Sequence, residues 1–331
     1  MPFSAIIGHE RIKELLQRAI SHDRRGHAYL FHGPQGCGKR KTADAFIEAV
    51  FCRNRDERGG CGSCASCVRL ATGQHPDLTL LAPDGAFIKI DQVRELQRRI
   101  ALRPYEAPVK GCIIEDAHRP HAAAANALLK TLEEPPGQAL IILLATDVEG
   151  IMPTILSRCQ QLRFSPLPTT LVTEWLVSQG GTIEEARLIA PMAGGSLGRA
   201  LEMRGEEILS GRGELLRRLL PLSSSRPNEL FGIAEELGKE REQSMQLLDL
   251  LLSYYRDVLL VQNGQGEMSN PGLQQELTQE VNRSSLADTL RRLDYILQTR
   301  QAMDRNANPR LALEVLFMRL EHVGQPRRSA A

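Results

Sequence analysis

Two groups of residues in this 331-residue chain have the types and spacing that do chemistry. The first is Gly33-Pro34-Gln35-Gly36-Cys37-Gly38-Lys39-Arg40, which fits G-x-x-x-x-G-K. Small residues let backbone N–H groups converge on phosphate oxygens, and a following helix N-terminus adds partial positive charge. Lys39 would reach the terminal phosphates. A plain glycine turn between a strand and a helix is the bland alternative. The next position is wrong for a metal. A Ser or Thr hydroxyl there binds magnesium, whereas Arg40 brings a positive charge, and Thr42 falls on a different face of the helix. These residues allow ATP to be held without productive magnesium and argue against its hydrolysis.

The second group is Cys52-x8-Cys61-x2-Cys64-x2-Cys67. Four thiolates in one loop, with Gly59, Gly60 and Gly62 permitting tight turns, wrap one tetrahedral ion. Zinc is the expected metal, because every ligand is sulfur and nothing suggests redox work. A four-thiolate site is closed to water and therefore structural. An iron–sulfur cluster and a dithiol pair are the alternatives. His75 reads as a strand-start residue, and Cys37, Cys112 and Cys159 are scattered.

Two smaller signals accompany these. GCIIEDAH puts Glu115 and Asp116 at the end of a buried strand, where one carboxylate would organise a metal and the next would activate water. The usual order is Asp then Glu; here it is reversed, so each carboxylate has the wrong length. Acids merely solvated at a strand end are the other reading. Ser157-Arg158-Cys159 precedes a last strand, and by position alone Arg158 is a surface arginine in a salt bridge. Arg94, Arg98 and Arg99 form either a basic helix face or a solvated one.

The elements that must position these residues alternate between two periods. Glu10–Ile20 has apolar residues at helical spacing, HAYLFHG reads as a buried strand, and Lys41–Phe51 is helical again. DLTLLAP is a strand, followed by a helix over DQVRELQRRIAL with Asp91 as its expected N-cap. GCIIED, ALIILLAT and QLRF are strands. HAAAANALLKTLEE is a helix stopped by Pro135 and Pro136, and Pro153–Leu156 is a short turn or helix. Such alternation predicts a parallel sheet covered on both faces. After Ser165–Pro168 no convincing strand follows. Short helices break at Gly180–Gly181 and Gly194–Ser196, and longer amphipathic helices begin near Gly213: LLRRLLPL, LFGIAEELGKE, SMQLLDLLLSYYRDVLLV, LADTLRRLDYILQTRQAM and PRLALEVLFMRL. Asn308 caps the last, with Pro309 at its first position. Residues 263–274 and the tail after Gly324 read as mobile.

Composition excludes several classes. The chain is 42% hydrophobic and 24% charged with a formal net charge of +1, so it has neither the global basic field of a nucleic-acid binder nor an acidic tail. Charges throughout its first twenty residues argue against a signal peptide, and ALIILLAT is far too short to span a bilayer. A cytoplasmic location is expected, where clustered cysteines favour metal over disulfides.

The phosphate loop, the acidic strand end, NALLKTLEEPP, LLAT and ILSRC, in this order, resemble the clamp-loader branch of the AAA+ ATPases. The similarity covers residues 1–200 and, through NANPRLALE, more weakly the C-terminal bundle; the cysteine loop is similar to the zinc module of bacterial members. The resemblance implies an α/β plus all-α chain. Its parts would be a P-loop AAA+ domain over 1–166 with a zinc module at about 52–67, a small helical lid over 167–210, and a helical collar over 211–331 that joins a hetero-oligomeric ring. It implies a subunit of the bacterial replicative DNA polymerase holoenzyme that helps ATP-dependent loading of the sliding clamp on primed DNA. The implied partners are gamma/tau and delta clamp-loader subunits, with the clamp and DNA reached through the complex and no membrane involved. Arg158 would act in trans as an arginine finger on a neighbour's ATP. Thr146 matches the first sensor position, in a degenerate nucleotide site made of Gly33, Gly36, Gly38, Lys39, Arg40, Glu115 and Asp116. Gly198 follows Gly195-Ser196-Leu197 where ATP-hydrolysing gamma/tau relatives carry a sensing arginine, and Arg199 comes one step late. Two readings compete with a binding and activating subunit: an active gamma/tau-like ATPase, favoured by Gly33, Gly38 and Lys39, and a stand-alone zinc-containing regulator.

Overall fold

A computed structural model describes residues 2–85, 87–118, 121–135, 137–205, 215–216, 219, 227–264 and 273–323. It forms two compact units, residues 1–178 with 194–199, and residues 179–193 with 200–331.

The first unit is built on five parallel strands, β1 (Ala28–His32), β2 (Leu78–Leu81), β3 (Lys110–Ile114), β4 (Ala139–Ala145) and β5 (Gln160–Arg163), in the order β2-β3-β4-β1-β5. Around it lie α1 (Glu10–Ser21), α2 (Lys39–Phe51), α3 (Ala65–Ala71), α4 (Ile90–Ala101), α5 (Ala122–Glu133), α6 (Pro153–Leu156) and α7 (Thr169–Ser178). The central strands β3, β4 and β1 are apolar on both faces because both are covered. Leu140, Ile142 and Leu144 of β4 enter one core with Tyr29, Phe31, Phe46 and Leu16; Ile141, Leu143 and Ala145 enter the other with Leu30, Leu96 and Leu128. Cys112 lies in the second core, fully buried, so its thiol is pushed well above the ordinary range. It is a plain core residue.

Two local expectations are corrected. The N-cap of α4 is Lys89, not Asp91, which sits inside the first turn; the Gln92 side chain accepts from the Lys89 N–H at 2.9 Å and so starts the helix earlier. The helix α3, which starts after Cys64 and carries Cys67, has no counterpart among the sequence expectations, because seven residues are too few for a periodic signal.

The second unit is helical, with α8 (Ile183–Met192), most of α9 (Leu197–Gly205), α10 (Pro227–Leu237), α11 (Arg241–Gln262), α12 (Gln274–Arg283), α13 (Leu286–Asp304) and α14 (Pro309–His322). Its core joins Leu247, Leu251, Tyr254 and Val258 of α11 to Ile296 and Met303 of α13 and Leu313 and Leu316 of α14. Among the described residues it contains no strand. Asn308 caps α14 as expected, its side chain accepting from the Leu311 N–H at 3.2 Å. The helix α12 was missed, since QQELTQEVNR offers only Leu277 and Val281 as core contacts and needs α11 to hold it. Most of LLRRLLPL, most of the 263–274 segment and the tail from Gly324 lie outside the described residues. No described helix is long and apolar enough to cross a membrane.

Candidate functional site

In a parallel sheet the strands deliver their C-terminal ends to one edge, and ligand-binding groups collect there. β1 runs into the 33–38 loop and then α2, β3 into Glu115 and Asp116, and β4, which lies between them, into Thr146. The sheet order therefore brings together residues that the sequence separates by more than a hundred positions.

The loop has the backbone that a phosphate cradle requires. Gly33 and Gly36 have φ of 144° and 74°, and a Cβ would lie 2.1 Å from the Phe164 carbonyl oxygen at Gly33 and 2.0 Å from Ser196 Oγ at Gly36. Only glycine fits either place. Gly36 O accepts from the Leu197 N–H (3.0 Å) and the Gly198 N–H (3.3 Å), so the Gly-Ser-Leu-Gly segment rests on the loop. Lys39 Nζ donates to the carbonyls of Gly33 (2.6 Å) and Pro34 (2.7 Å). Burial lowers the Lys39 pKa, opposed by Cys37 and Asp116.

Arg40 bridges two acids. Its Nε donates to both Asp44 oxygens (2.9 and 3.1 Å), and its Nη1 donates to Glu115 Oε1. Burial works against the charge, but Asp44 and Glu115 outweigh it and the guanidinium is held more firmly protonated than usual. Asp44, one turn along α2, was overlooked; its i,i+4 spacing from Arg40 was the available signal. Thr42 is buried, its hydroxyl donating to the Gly38 carbonyl at 2.9 Å, so it does not replace the missing Ser or Thr. Asp116 sits in the left-handed region at φ 46°. Thr146 Oγ1 lies 3.3 Å from His118 Nε2 and donates to Asp147 Oδ2 at 3.2 Å.

Arg158 lies elsewhere. It precedes β5, whose first residue, Gln160, pairs with Tyr29, four residues before Gly33. At about 3.3 Å per residue, that is roughly 13 Å back along the strands. Arg158 thus belongs to the opposite edge of the sheet from the phosphate loop. There its guanidinium donates to the Thr154 carbonyl (2.9 Å) and Ser157 Oγ (3.2 Å) and pairs with Glu133 Oε1 at 2.7 Å. Both charged side chains are more than a third exposed. Glu133, at the end of α5, carried no signal in the sequence as a partner, because only the fold sets it beside α6.

The four cysteines converge. Their sulfurs all lie within 4.8 Å of one another, with Cys52–Cys64 at 3.9 Å and Cys61–Cys67 at 4.0 Å. A single tetrahedral ion with metal–sulfur bonds near 2.3 Å needs sulfur edges of about 3.8 Å, so the residues fit one ion; a multi-iron cluster would spread them further. The Cys61 N–H points at Cys52 Sγ and the Cys64 N–H at Cys61 Sγ, both at 3.3 Å. Amide N–H groups from Ser63 and Cys64 pull the Cys61 thiol down to about 6, favouring the thiolate a metal requires. Gly59 and Gly62 turn through positive φ, whereas Gly60 is needed for space, a Cβ there falling 2.6 Å from the Glu48 side chain.

His75 is not a ligand. It is buried before β2, with Nε2 3.0 Å from both Ser66 Oγ and Glu106 Oε1, and Nδ1 accepting from the Asp77 N–H at 3.1 Å. Burial lowers its pKa against the pull of Glu106 and Asp77. Glu106 also binds Arg69 on α3 through Nε at 2.9 Å, and Asp77 clasps the loop that carries Glu106. This network fastens the cysteine segment to the sheet. The arginines of α4 are paired along their own helix, Arg94 with Asp91 and Arg98 and Arg99 with Glu95, which is the solvated-face reading.

Two family models match, one described as DNA polymerase III, delta subunit, over residues 8–168, and one as its C-terminal part over residues 206–322. The chain is 33% identical over 319 residues to DNA polymerase III subunit delta' of Bacillus subtilis, covering 94% of this chain and 95% of that one. It is 30% identical over 305 residues to the delta' subunit of Pseudomonas aeruginosa, with 88% and 90% covered. Against DNA polymerase III subunit tau of Bacillus subtilis identity is 27% over 358 residues, covering 96% of this chain but 61% of that longer protein. A crystal structure of a DNA polymerase III gamma subunit-related protein from Thermotoga maritima aligns with 95% of the chain at 20% identity and a TM-score of 0.45.

Proposed function

From a chain that belongs to the delta-prime family of bacterial DNA polymerase III subunits, we propose a clamp-loader subunit that lends an arginine to a neighbour's nucleotide. It works with gamma/tau and delta subunits to load the sliding clamp on primed DNA. The observation that carries this is the position of Arg158. The register of β5 on β1 sets the first residue of β5, just after Arg158, roughly 13 Å back along the strands from the chain's own phosphate loop, so Arg158 stands at the other end of the strands, where its charge is open to another subunit. Bound against the phosphates of a neighbouring ATP, the guanidinium would stabilise charge that develops during transfer. To do so it exchanges Glu133 for phosphate, an exposed pair that is inexpensive to break.

In the same reading, residues 1–166 are a P-loop AAA+ domain, 167–210 a lid and 211–331 a collar. The cysteine cluster holds zinc as a structural ion, fixing the loop between α2 and β2. The chain's own loop holds ATP without turning it over. Arg40 occupies Glu115, and Thr42 is buried with its hydroxyl turned to the Gly38 carbonyl, which supports a non-hydrolytic site. These same contacts weigh against a gamma/tau-like ATPase.

The test is the ATPase of a reconstituted complex of this chain with gamma/tau and delta subunits. Arg158→Ala should leave assembly intact and lower the rate by at least roughly a hundredfold at the site it serves; Lys39→Ala should leave the rate unchanged. An unaffected rate with Arg158→Ala removes the finger role. Turnover by the isolated chain that is lost in Lys39→Ala would establish the ATPase reading instead.

A further inference from the structure

A nucleotide site of this layout uses a hydroxyl after the loop lysine and a strand-end carboxylate to hold the magnesium that bridges the phosphates. The side chains at those two positions do not fit that ion. The hydroxyl position is Arg40, and the strand-end carboxylate, Glu115, accepts from its guanidinium. Asp44 is taken by the same guanidinium through Nε. The nearby hydroxyls of Thr42 and Thr146 donate to the Gly38 carbonyl and to Asp147. A divalent cation would have to displace a guanidinium anchored on two acids, and arginine does not become neutral in a protein to make room. On the other side, Lys39 is a partly buried cation whose contacts are two carbonyl oxygens, which solvate it without neutralising it.

We infer that Arg40 is the resident counter-cation of this site, so that the loop takes the polyphosphate of a nucleoside triphosphate free of divalent metal. This rests on the reading of the loop as a nucleotide site. Arg40 then does two things. It neutralises Glu115 and Asp44, which would otherwise repel phosphate at the mouth of the loop. It also leaves Lys39 and the loop amides to face an anion whose charge no metal has reduced.

The experiment uses the full chain and a fluorescent ATP analogue, titrated in excess EDTA and in excess magnesium, with Mn2+ electron paramagnetic resonance as the metal readout. Wild type should bind at least as tightly in EDTA as in magnesium, and ATP should recruit no Mn2+ to the protein. Arg40→Ser should weaken binding in EDTA by at least roughly tenfold, because the charge that neutralises two carboxylates beside the anion is lost. It should recover in magnesium and acquire bound Mn2+. Arg40→Lys, which keeps the charge but cannot span both acids, should bind in EDTA more tightly than Arg40→Ser and acquire no Mn2+, guarding against a folding artefact in the serine variant. Binding that requires magnesium in wild type, or no binding in either buffer, overturns the inference. Neither outcome touches the clamp-loader reading, which is judged by assembly and by Arg158→Ala.

Discussion

Replacing Asp77 by alanine should destabilise the first unit more than any change on its surface. The carboxylate is 1% exposed. It accepts from the amides of Tyr105 (2.7 Å), Glu106 (2.8 Å) and Ala107 (2.9 Å) and from Lys110 Nζ at 2.8 Å. Truncation leaves a nearly buried ammonium without its counter-ion, which costs about 3–5 kcal/mol. Each orphaned amide adds about 1–3 kcal/mol if water does not reach it. These costs overlap, so about 3–5 kcal/mol is the expected total. At roughly 2–4 °C per kcal/mol for a unit of this size, the melting temperature should fall by roughly 6–20 °C. Trp175 is the only tryptophan and lies in α7 of this unit, so its fluorescence follows the transition. The pH dependence has a definite sign. Burial alone would raise the Asp77 pKa, but the three amides and Lys110 outweigh it and hold it well below the usual range. A carboxylate so depressed contributes stability above its unfolded pKa, about 3.9, and loses it as pH falls toward the folded value. The gap between wild type and Asp77→Ala should therefore be full near neutrality and narrow below about pH 4. Because the loop that Asp77 clasps carries Glu106, amides of α3 should also exchange faster in the variant. A loss under about 1 kcal/mol, or a gap independent of pH, would refute the account of this clasp.

Other outcomes follow from the same geometry. Zinc analysis of the purified chain should find one ion per molecule, and Cys61→Ser with Cys64→Ser should abolish it and expose the 52–67 loop to protease. Glu133→Ala should change stability by under about 1 kcal/mol, since its partner Arg158 is a surface ion pair; a larger loss by chemical denaturation would mean that the pair is structural. Asn308→Ala should cost about 1 kcal/mol in the helical unit through loss of the α14 cap, measured by urea unfolding with circular dichroism.

Much of the molecule was legible in order of residue types alone. Five strands and their helices followed from apolar runs and helical spacing, and each strand appeared where its run lay. The elements that escaped were those with too few apolar residues to make a period, α3 and α12. The cysteine cluster was legible because its ligands are local: a loop with C-x2-C-x2-C spacing must bring sulfurs together. The loop glycines and Lys39 were legible for the same reason.

What the chain alone could not decide was every relation carried by the sheet order. Arg40 was visibly wrong for magnesium, but that it engages Glu115, seventy-five positions away, depends on β1 and β3 flanking β4. The acids at the end of β3 left a solvated reading open; tertiary structure paired Glu115 with Arg40 instead. Arg158 was a surface arginine by position, and the salt bridge with Glu133 bears that out; its separation from the phosphate loop comes from the parallel register of β5 on β1. Sequence specifies side-chain chemistry and short-range spacing, because bond lengths and helix and strand periods are local. Which distant groups share an edge is decided by how strands pair, and that is a property of the packed sheet.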